Sequence, residues 1–487
     1  MMLDGQSAHG GADYDLVIVG AGAAGLNALF SAAQYLGPDA RVALIDRRDD
    51  CGGMWRDTYD YVRLHQPHRM FTAGNIPWQL DRPPEYLATR SEVVDHLRHC
   101  LDTLAARVAL EPVFGHQFDG AEEDAEGVTV RSSAVSDGTP RVLRARRLIV
   151  ATGYDVPVLP PLPYASTAIS CTAPKHLFDA GTPTDPPVYV VGGGKTAMDT
   201  CHALITRFPG RRIILVAGAG TAFTRRELIA PTGLRRYWAG TPSANIFIEL
   251  SQAFDGTNEA EVIRRYQNHF ETSLNDAAQR NFFGVLSQEE LQVIRAGLAE
   301  VIYDYCEDVV DGADGPEMQM RSGATRVVET GAMFVNCTGH IARDTTMPAA
   351  PLISGGKRIL TISPRAAVHF LSTVSAYFMT HLFYRDKLPL DGLYTVDFIA
   401  LRGENIQALR MAAVSVSFIT QSMMFRALPM QAIQDCGLDI NGWFPKYRML
   451  PVLLKLKRHG PAYVAHAQAS LDQMSARFKA RIGPVGT

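Results

Sequence analysis

The chain has 487 residues, of which 47% are hydrophobic and 20% are charged, and its formal net charge is -3. This length predicts roughly three domains with a sizeable core. The near-neutral charge excludes the global positive field by which proteins bind nucleic acid or anionic lipid, so we expect small-molecule partners.

Cysteine usage and the start of the chain give further expectations. The seven cysteines include no CxxC pair, so we interpret them as reduced thiols of a cytoplasmic protein, and no metal site is predicted. Residues 1–15 lack the basic region and apolar core of a signal peptide, and we predict a short disordered lead-in. The weakly polar run 366–384 contains His369 and His381, which favours a buried helix over a membrane span.

Residues Asp15–Gly25, with the sequence DLVIVGAGAAG, carry a dinucleotide-binding fingerprint. The apolar run Leu16–Val19 predicts a buried parallel strand, and the apolar-rich segment 26–36 predicts the helix after the glycine turn. A second strand over Arg41–Ile45 ends at Asp46, whose carboxylate we expect to accept ribose hydroxyls. This context makes the signal stronger than a bare GxGxxG.

The three glycines of this turn have separate tasks. Gly20 permits the tight turn, and Gly22 lets the backbone approach a pyrophosphate. Gly25 lets the helix lie close on the strand, with its N-terminal amides facing the phosphates. The chain therefore opens with a predicted phosphate-binding strand, turn and helix.

The loop after this strand is rich in aromatic residues. It begins with Gly52-Gly53 and Trp55 and leaves the sheet where the middle of a bound cofactor would lie, so we expect it to run along a flavin if the first fold holds FAD. A satellite hydrophobic cluster beneath a long loop is the alternative. The rings concerned are those of Trp55, Tyr59, Tyr61, Phe71 and Trp78.

A helix and a strand meander are predicted next. Thr89 and Glu92 form a capping box, and apolar residues at helical spacing carry the helix to about Arg107. Strands are predicted at 108–113, 127–133 and 141–150. We expect this meander to cap one face of the first sheet, and its last strand to end in the small-residue turn Ala151-Thr152-Gly153, which lets backbone pass close to a cofactor.

A second fingerprint follows proline-rich connectors between residues 157 and 187, which mark a domain boundary. The strand 188–191 and the letters GGGKTA repeat the opening pattern. Gly192 and Gly194 occupy the first two glycine positions, and Ala197 occupies the third. The chain is therefore predicted to contain two dinucleotide folds.

The second fold differs from the first where its second strand, Arg212–Val216, ends. No carboxylate follows this strand, and Arg225-Arg226 stand in a predicted polar turn. A missing acid with nearby arginine favours a 2'-phosphate, so we prefer NADPH to NADH. A solvated basic turn without this role is the alternative.

Residues of about 227–310 are predicted to interrupt the second fold with helical material. Ser287 and Glu290 form a capping box before a helix predicted to reach Ile302. This insert is a candidate substrate lid or structural padding. Strands then resume at 319–321, 326–329 and 332–336, before the turn Cys337-Thr338-Gly339, which resembles the turn at Gly153.

The remaining chain is predicted to return to the first domain. Residues 393–399 indicate a strand and 404–424 a long helix, whose start at Glu404 is predicted to point its amides at the flavin ring. The tail 443–456 is basic and apolar, but its two prolines argue against an amphipathic membrane helix.

These residues resemble the class B flavoprotein monooxygenases, which include flavin-containing monooxygenases, Baeyer-Villiger monooxygenases and the plant YUCCA enzymes. The resemblance spans roughly residues 13–345. Its motifs are Gly20, Gly22 and Gly25 with Asp46, Gly52-Gly53 with Trp55, the loop Tyr61–Phe71 with its YxRLxxP pattern, the turn at Gly153, Gly192, and Cys337-Thr338-Gly339. The resemblance implies FAD in the first fold, NADPH in the second, and a reduced flavin that reacts with oxygen to form a C4a-(hydro)peroxide.

Two departures from the family indicate a divergent branch. His65 and Gln66 occupy the loop position near the oxygenated flavin, where flavin-containing monooxygenases often carry Asn. By the resemblance, either is a candidate catalytic donor, with hydrogen bonding inside the loop as the alternative. The linker motif FxGxxxH has its nearest match at Ser170–His176, where only the histidine survives.

We therefore predict an α/β protein with two Rossmann-like dinucleotide-binding domains, a helical insertion and a mainly helical C-terminal segment. The predicted bounds are 13–160 for the first part of the FAD domain, 185–345 for the NADPH domain and 346–487 for the returning segment. The candidate cofactor-binding residues are Gly20, Gly22, Ala24, Gly25, Asp46, Gly53, Trp55 and Gly153 in the first fold, and Gly192, Gly194, Lys195, Thr196, Ala197, Arg225, Arg226 and Gly339 in the second.

The favoured function is a monooxygenase that uses FAD, NADPH and O2 to insert one oxygen atom into a small organic substrate. A flavin-dependent reductase that only moves hydride is the first alternative, and a cofactor-binding redox sensor is the second. A disulfide reductase is disfavoured because Cys51 has no cysteine close to it in the sequence.

Overall fold

The computed structural model describes residues 12–154, 159–179, 185–275, 278, 280–339, 348–438 and 440–486. The strands within these ranges are β1 Leu16–Val19, β2 Arg41–Asp46, β3 Ala109–Phe114, β4 His116–Glu123, β5 Val128–Ala134, β6 Pro140–Ala145, β7 Leu148–Val150, β8 Ser170–Thr172, β9 Val188–Val191, β10 Ile213–Val216, β11 Thr221–Arg225, β12 Glu271–Ser273, β13 Arg280–Leu286, β14 Glu300–Ile302, β15 Cys306–Gly312, β16 Gly315–Met320, β17 Thr325–Val327, β18 Met333–Asn336, β19 Ile359–Thr361, β20 Tyr394–Val396 and β21 Ile482–Pro484.

The α-helices connect and cover these strands. They are α1 Ala23–Ala32, α2 Arg90–Ala105, α3 Lys195–Arg207, α4 Arg226–Ile229, α5 Ser243–Ala253, α6 Glu259–Phe270, α7 Gln288–Gly297, α8 Ser372–Tyr384, α9 Phe398–Glu404, α10 Ile406–Ala427, α11 Met430–Gln434 and α12 Lys446–Ser475. The N-terminal lead-in predicted at 1–15 lies largely outside the described residues.

Five parallel strands form the first sheet, in the order β19-β7-β1-β2-β3. Leu16 is in register with Val42, and Val19 with Ile45. The residues of β1 are buried because helices and the meander cover both faces of the sheet, as a parallel sheet requires. The predicted strand, turn and helix are confirmed, although α1 begins at Ala23, before the predicted start.

The meander β4-β5-β6 packs on one face of this sheet, as predicted. Val128 and Val130 of β5 share a buried cluster with Val17 and Val19 of β1. The single strand predicted over 141–150 is wrong. The chain leaves β6 at residue 145 and enters the first sheet as β7, where it pairs between β1 and β19.

A second parallel sheet has the order β14-β10-β9-β18-β8. Helix α3 follows β9, and α7 packs beside it. The capping box of Ser287 and Glu290 is confirmed, but α7 ends at Gly297 and not at Ile302. Residues 300–302 instead form β14, since pairing with β10 buries Ile302 in the sheet.

The insert contains strands as well as helices, contrary to the helical prediction. Strands β11, β12 and β13 form a small sheet, and α5 and α6 pack against α10 of the C-terminal segment. A buried cluster joins these parts, with Phe254 from the insert and Phe418 from α10 among its members. The insert therefore attaches the second fold to the C-terminal helices.

The C-terminal segment returns to the first domain as β19, and α8 then packs along α1. The strand predicted at 393–399 is shortened to β20, because Asp397 ends it and caps α9 through the Ala400 amide. Among the described residues, α10 alone is long and apolar enough to cross a membrane, but 78% of its most apolar window is buried inside the protein. Helix α12 continues through Pro451 and Pro461, so neither proline interrupts it.

Candidate functional site

The first glycine of each turn lies against the small-residue turn that ends a neighbouring strand. Gly20 has a φ of +104°, and a Cβ there would lie 2.5 Å from the carbonyl oxygen of Ala151. Gly192 has a φ of +130°, and a Cβ there would lie 2.3 Å from the carbonyl oxygen of Cys337. Only glycine fits either position. The similarity of the two small-residue turns therefore reflects one shared geometry in both folds.

The helices that follow these turns begin without side-chain caps in the described chain. Gly22 is the N-cap of α1 and Gly194 is the N-cap of α3. By contrast, α2 and α7 carry complete capping boxes at Thr89 and Ser287. Uncapped amides at the N-terminus of a helix bind phosphate well, so both turns fit the pyrophosphate of a dinucleotide.

Gly22 and Gly53 lie back to back beside the first turn. A Cβ on Gly22 would lie 3.3 Å from the Cα of Gly53, and a Cβ on Gly53 would lie 2.9 Å from the Cα of Gly22. Buried Asp46 stands at the same edge, where its Oδ2 accepts the Ala21 amide at 2.7 Å and its Oδ1 accepts the Arg48 amide at 2.9 Å. The carboxylate thus fixes the turn and retains lone pairs for a further donor.

The remaining candidates of the first fold lie around this turn. Ala24 is buried in the first turn of α1. Gly153 follows β7 with a φ of +68°, and a Cβ there would lie 3.8 Å from Ser372 Oγ. Trp55 packs edge to face on Phe71, against the core of the first domain. Trp55, Phe71 and Trp78 therefore pack against the main core of the first domain.

Tyr59 and Tyr61 of the same loop instead contact the second fold. Tyr59 donates to Asp199 Oδ2 at 2.8 Å, and Tyr61 Oη lies 2.9 Å from Thr200 Oγ1. Lys195, at the start of α3, pairs with the other oxygen of Asp199. Burial, reinforced by the Asp199 carboxylate, raises the pKa of Tyr59, which keeps the phenol protonated as a donor. The aromatic loop of the first dinucleotide fold thus contacts helix α3 of the second fold.

The other second-fold candidates lie at the same helix end or beside it. Thr196 hydrogen bonds to the Tyr59 hydroxyl, and Ala197 is fully buried against the sheet, as the third position of the fingerprint requires. Gly339 follows the Cys337 turn, where a Cβ would lie 2.8 Å from the Leu159 side chain. Asp199 was missed by sequence reasoning, because only its partners across the domain boundary distinguish it.

His65 lies between the two folds, and Gln66 is half-buried next to it. Burial, together with the charges of Lys195 and Arg226, lowers the pKa of His65 to about 3. The imidazole is therefore neutral at physiological pH, with one ring N–H to donate. The structure brings this candidate donor to the start of α3.

In place of the predicted polar turn, Arg225 ends strand β11 and Arg226 begins helix α4. Arg226 is only 11% exposed, donates from Nε to the His65 carbonyl at 2.8 Å and pairs with Glu290 at 2.8 Å. Arg225 ends β11 and donates to the carbonyl of His269. Both guanidinium groups are held by protein partners, because β11 and α4 fold the segment into the insert. Arg226 is thus a support for the His65 loop.

The helix that follows the first sheet is α8 and not α10. The prediction that α10 points its amides at a flavin fails, because Asn405 caps that helix through the amides of Gln407 and Ala408. Helix α8 comes next after β19, and a small cavity between Tyr154 and Ser372 lies at this carboxyl edge. Two apolar helices with similar composition could not be told apart by sequence alone.

His369 stands between that small cavity and a larger apolar one. Its Nδ1 accepts the Leu371 amide at 3.0 Å, and burial lowers its pKa to about 3. The neutral ring therefore carries its hydrogen on Nε2, 3.0 Å from the side-chain amide of Gln421, whose oxygen must face it. Sequence analysis treated His369 only as a sign of burial.

The larger cavity encloses about 1000 Å³, including its mouth. It is formed by α5, α8, α10 and α12 and is lined mostly by apolar side chains, with few polar groups. Its principal lining residues are Phe247, Phe370, Phe378, Phe418, Phe425 and Leu453. A cavity with this mostly apolar lining suits an organic ligand.

Comparison with known proteins agrees with this geometry. Residues 14–228 match the family described as pyridine nucleotide-disulphide oxidoreductase. An uncharacterized Mycobacterium tuberculosis protein, Rv2000, is 32% identical over 39% of this chain and 36% of its own length. The putative FAD-containing monooxygenase MymA of the same species is 28% identical over 40% of each chain. The reduced form of the ornithine hydroxylase PvdA from Pseudomonas aeruginosa superposes with a TM-score of 0.50 at 16% identity, over 76% of this chain and 99% of that one.

Part of the chain is thus similar in sequence to putative FAD-containing monooxygenases. Its fold is that of flavoenzymes with two dinucleotide domains. The match covers only 36% of the length of the Rv2000 protein. In the linker, His176 is exposed and its Nδ1 lies 2.7 Å from Asp179 Oδ2.

Proposed function

We propose that this relative of the FAD-containing monooxygenases uses FAD, NADPH and O2 to insert one oxygen atom into a small, partly apolar organic substrate. The observation that carries the proposal is the contact between the two dinucleotide folds. Tyr59 of the first fold donates a hydrogen bond to Asp199 of the second. The first turn would hold the pyrophosphate of FAD and the second turn that of the hydride donor, in two folds that this contact joins. FAD, when bound, supplies oxygen activation that side chains cannot.

The chain's own residues have three tasks in this proposal. The amides behind Gly22 and Gly194 bind the two pyrophosphates, and Asp46 orients the ribose of the first cofactor. Neutral His65 donates a hydrogen bond toward the reacting oxygen, and Arg226 holds its loop in place. The apolar cavity excludes water from the substrate, which protects a reactive flavin.

NADPH is the finer part of the proposal. Its support is the sequence Val216-Ala217-Gly218, which offers no carboxylate for a ribose 2'-hydroxyl at the end of β10. The second argument for a 2'-phosphate was the nearby arginines. Because Arg225 and Arg226 are held by protein groups, this argument no longer applies. We place the enzyme in the cytoplasm, since buried thiols such as Cys51 are free.

Two other functions are competitors. A disulfide reductase is disfavoured because burial raises the pKa of Cys51 to about 11, which leaves little thiolate to attack a disulfide. A hydride-transferring reductase needs the same two dinucleotide folds. Only the reaction of the reduced flavin with oxygen distinguishes it from a monooxygenase. A cofactor-binding sensor would bind without turnover.

Matched glycine variants test the cofactor assignment. Gly20→Ala should lose flavin, whereas Gly192→Ala should stay yellow but no longer be reduced by NADPH, because each Cβ meets a carbonyl oxygen of its own turn. Gly37→Ala, where a Cβ meets no atom within 4 Å in the described chain, is the control. Gly22→Val provides a second first-turn variant. Flavin retained in both first-turn variants would refute the assignment, provided that circular dichroism shows a folded chain.

Reoxidation of the reduced flavin in air distinguishes the three functions. Slow reoxidation through a transient near-ultraviolet band, with little hydrogen peroxide released, supports the monooxygenase. Prompt reoxidation with stoichiometric peroxide supports the reductase. Failure of NADPH and NADH to reduce bound flavin supports the sensor.

A further inference from the structure

Exposed apolar side chains are concentrated at the start of α12 and in the turn 234–238. Seven of the fifteen large apolar residues exposed in the described chain lie in these two segments, each 39–72% exposed. They are Leu234, Tyr237, Trp238, Tyr447, Leu450, Leu453 and Leu454, called here the apolar patch. Such a concentration marks an interaction site, whereas single exposed apolar residues do not.

The two segments of the apolar patch are joined by hydrogen bonds. Tyr447 donates to the carbonyl of Tyr237, and Arg448 donates to the carbonyl of Gly240 at 2.8 Å. The Trp443 ring, which precedes α12, donates to Pro231 at 2.9 Å. The patch is therefore one continuous, fixed surface.

Positive charge surrounds the apolar patch. Residues 446–458 contain no Asp or Glu, and the turn contributes two arginines. The basic residues are Arg235, Arg236, Lys446, Arg448, Lys455, Lys457 and Arg458. Sequence analysis recognised the tail 443–456 as basic and apolar, but only the fold brings the arginines of the turn beside it.

The large cavity opens on the apolar patch. Leu453 of α12 and Phe425 of α10 both line the cavity, and both are 47% exposed. Their exposed atoms thus form part of its rim, and Met449 and Val452 continue the apolar lining inward. The lining that a ligand meets behind this rim is mostly apolar.

We propose that the apolar patch docks the protein peripherally on an anionic bilayer, and that the cavity behind it receives a lipid-soluble ligand from that bilayer. An amphipathic helix with exposed Leu and Tyr side chains and Lys and Arg around them is the usual form of such a surface. A second copy of this chain is a poorer occupant, because symmetric pairing would bring two basic surfaces together. Docking does not depend on the oxygenation proposal.

Vesicle flotation of the full chain tests the docking. Protein should float with vesicles of phosphatidylcholine and phosphatidylglycerol, but only weakly with phosphatidylcholine alone, and added salt should reduce binding. Leu450→Ser with Leu454→Ser should lower the vesicle-bound to free ratio about tenfold or more, since both side chains would lie in the interface. Lys455→Glu with Lys457→Glu should reduce binding to anionic vesicles specifically.

Val142→Ser with Val327→Ser is the matched control. These valines are 61% and 59% exposed, on β6 and β17, and their loss should leave flotation unchanged. Wild-type protein that stays unbound to anionic vesicles, or a leucine variant that floats like wild type, would overturn the proposal. A lipid-free dimer in sedimentation velocity that the leucine variant dissociates would assign the patch to a second copy instead.

Discussion

Tyr59 Oη donates to Asp199 Oδ2 at 2.8 Å, which joins the loop of the first nucleotide fold to the first turns of α3 in the second. Asp199 also pairs with Lys195, so one half-buried carboxylate has partners in both folds. Because the phenol is buried, the bond is shielded from water. The relative placement of the two dinucleotide folds therefore depends partly on the pair Tyr59 and Asp199.

Tyr59→Phe should raise the KM for NADPH about fivefold and leave the flavin content unchanged. Loss of one net hydrogen bond costs roughly 1 kcal/mol, which corresponds to about a fivefold change. Tyr14→Phe is the control, because Tyr14 donates to Glu111 at 2.6 Å within the first domain, away from the cleft. An equal rise of KM in both variants would contradict a role for Tyr59 between the domains.

Arg226→Ala should lower turnover with NADPH and NADH by the same factor. The Arg226 guanidinium donates to the His65 carbonyl and pairs with Glu290, so its loss should loosen the His65 loop whichever nicotinamide is used. Steady-state kinetics with both cofactors measure this, with Arg225→Ala as the comparison. A defect confined to NADPH would restore the 2'-phosphate role for Arg226.

Arg410→Met should destabilise the protein by about 3–5 kcal/mol, the usual cost of an uncompensated buried charge. Arg410 and Glu271 lie 3.4 Å apart, at 5% and 1% side-chain exposure, between α10 and the insert. The double variant Arg410→Met with Glu271→Leu should recover much of the loss in a urea titration. Arg212→Met is the control, since its partner Glu329 is at the surface and such pairs contribute about 0–1 kcal/mol.

His96 should make stability fall in acid. It stacks on Trp78 at 3.8 Å between ring centroids, and burial lowers its pKa from 6.5 to about 3. Between these values the unfolded chain binds a proton that the folded chain does not, so this stabilisation is complete above pH 6.5 and is lost as the pH falls.

The advantage of wild type over His96→Gln in free energy of unfolding should shrink by about 2 kcal/mol between pH 6.5 and 5. Chemical denaturation at the two pH values measures it. His459→Gln, at an exposed position, controls for the removal of a histidine. A constant difference for His96→Gln across this range would show that the ring titrates normally in the folded protein.

Features set by contiguous residues were predicted well. The turn at Gly20, the strand that ends at Asp46 and the capping boxes at Thr89 and Ser287 each depend on a few neighbouring side chains. The error at 141–150 has a different origin. Whether one apolar run forms one strand or two depends on its distant pairing partners, here β1 and β19, which local sequence does not reveal.

The candidate site was predicted in part for the same reason. The glycine positions follow from a spacing rule, whereas the partners of Asp199, Arg226 and His369 come from other domains or distant helices. The predicted binding of a 2'-phosphate rested only on the presence of arginines after the second glycine turn. In the folded insert, the Arg226 side chain instead pairs with Glu290.

Strand β19 has a consequence for biosynthesis. It joins the first sheet at β7, yet the ribosome makes it only after every strand of the second sheet, β8 to β18, has emerged. The second sheet can therefore assemble early, while β7 waits with one open edge, the kind of edge on which nascent chains associate wrongly. The flavin-type domain, although it begins first, is the last to be completed during translation.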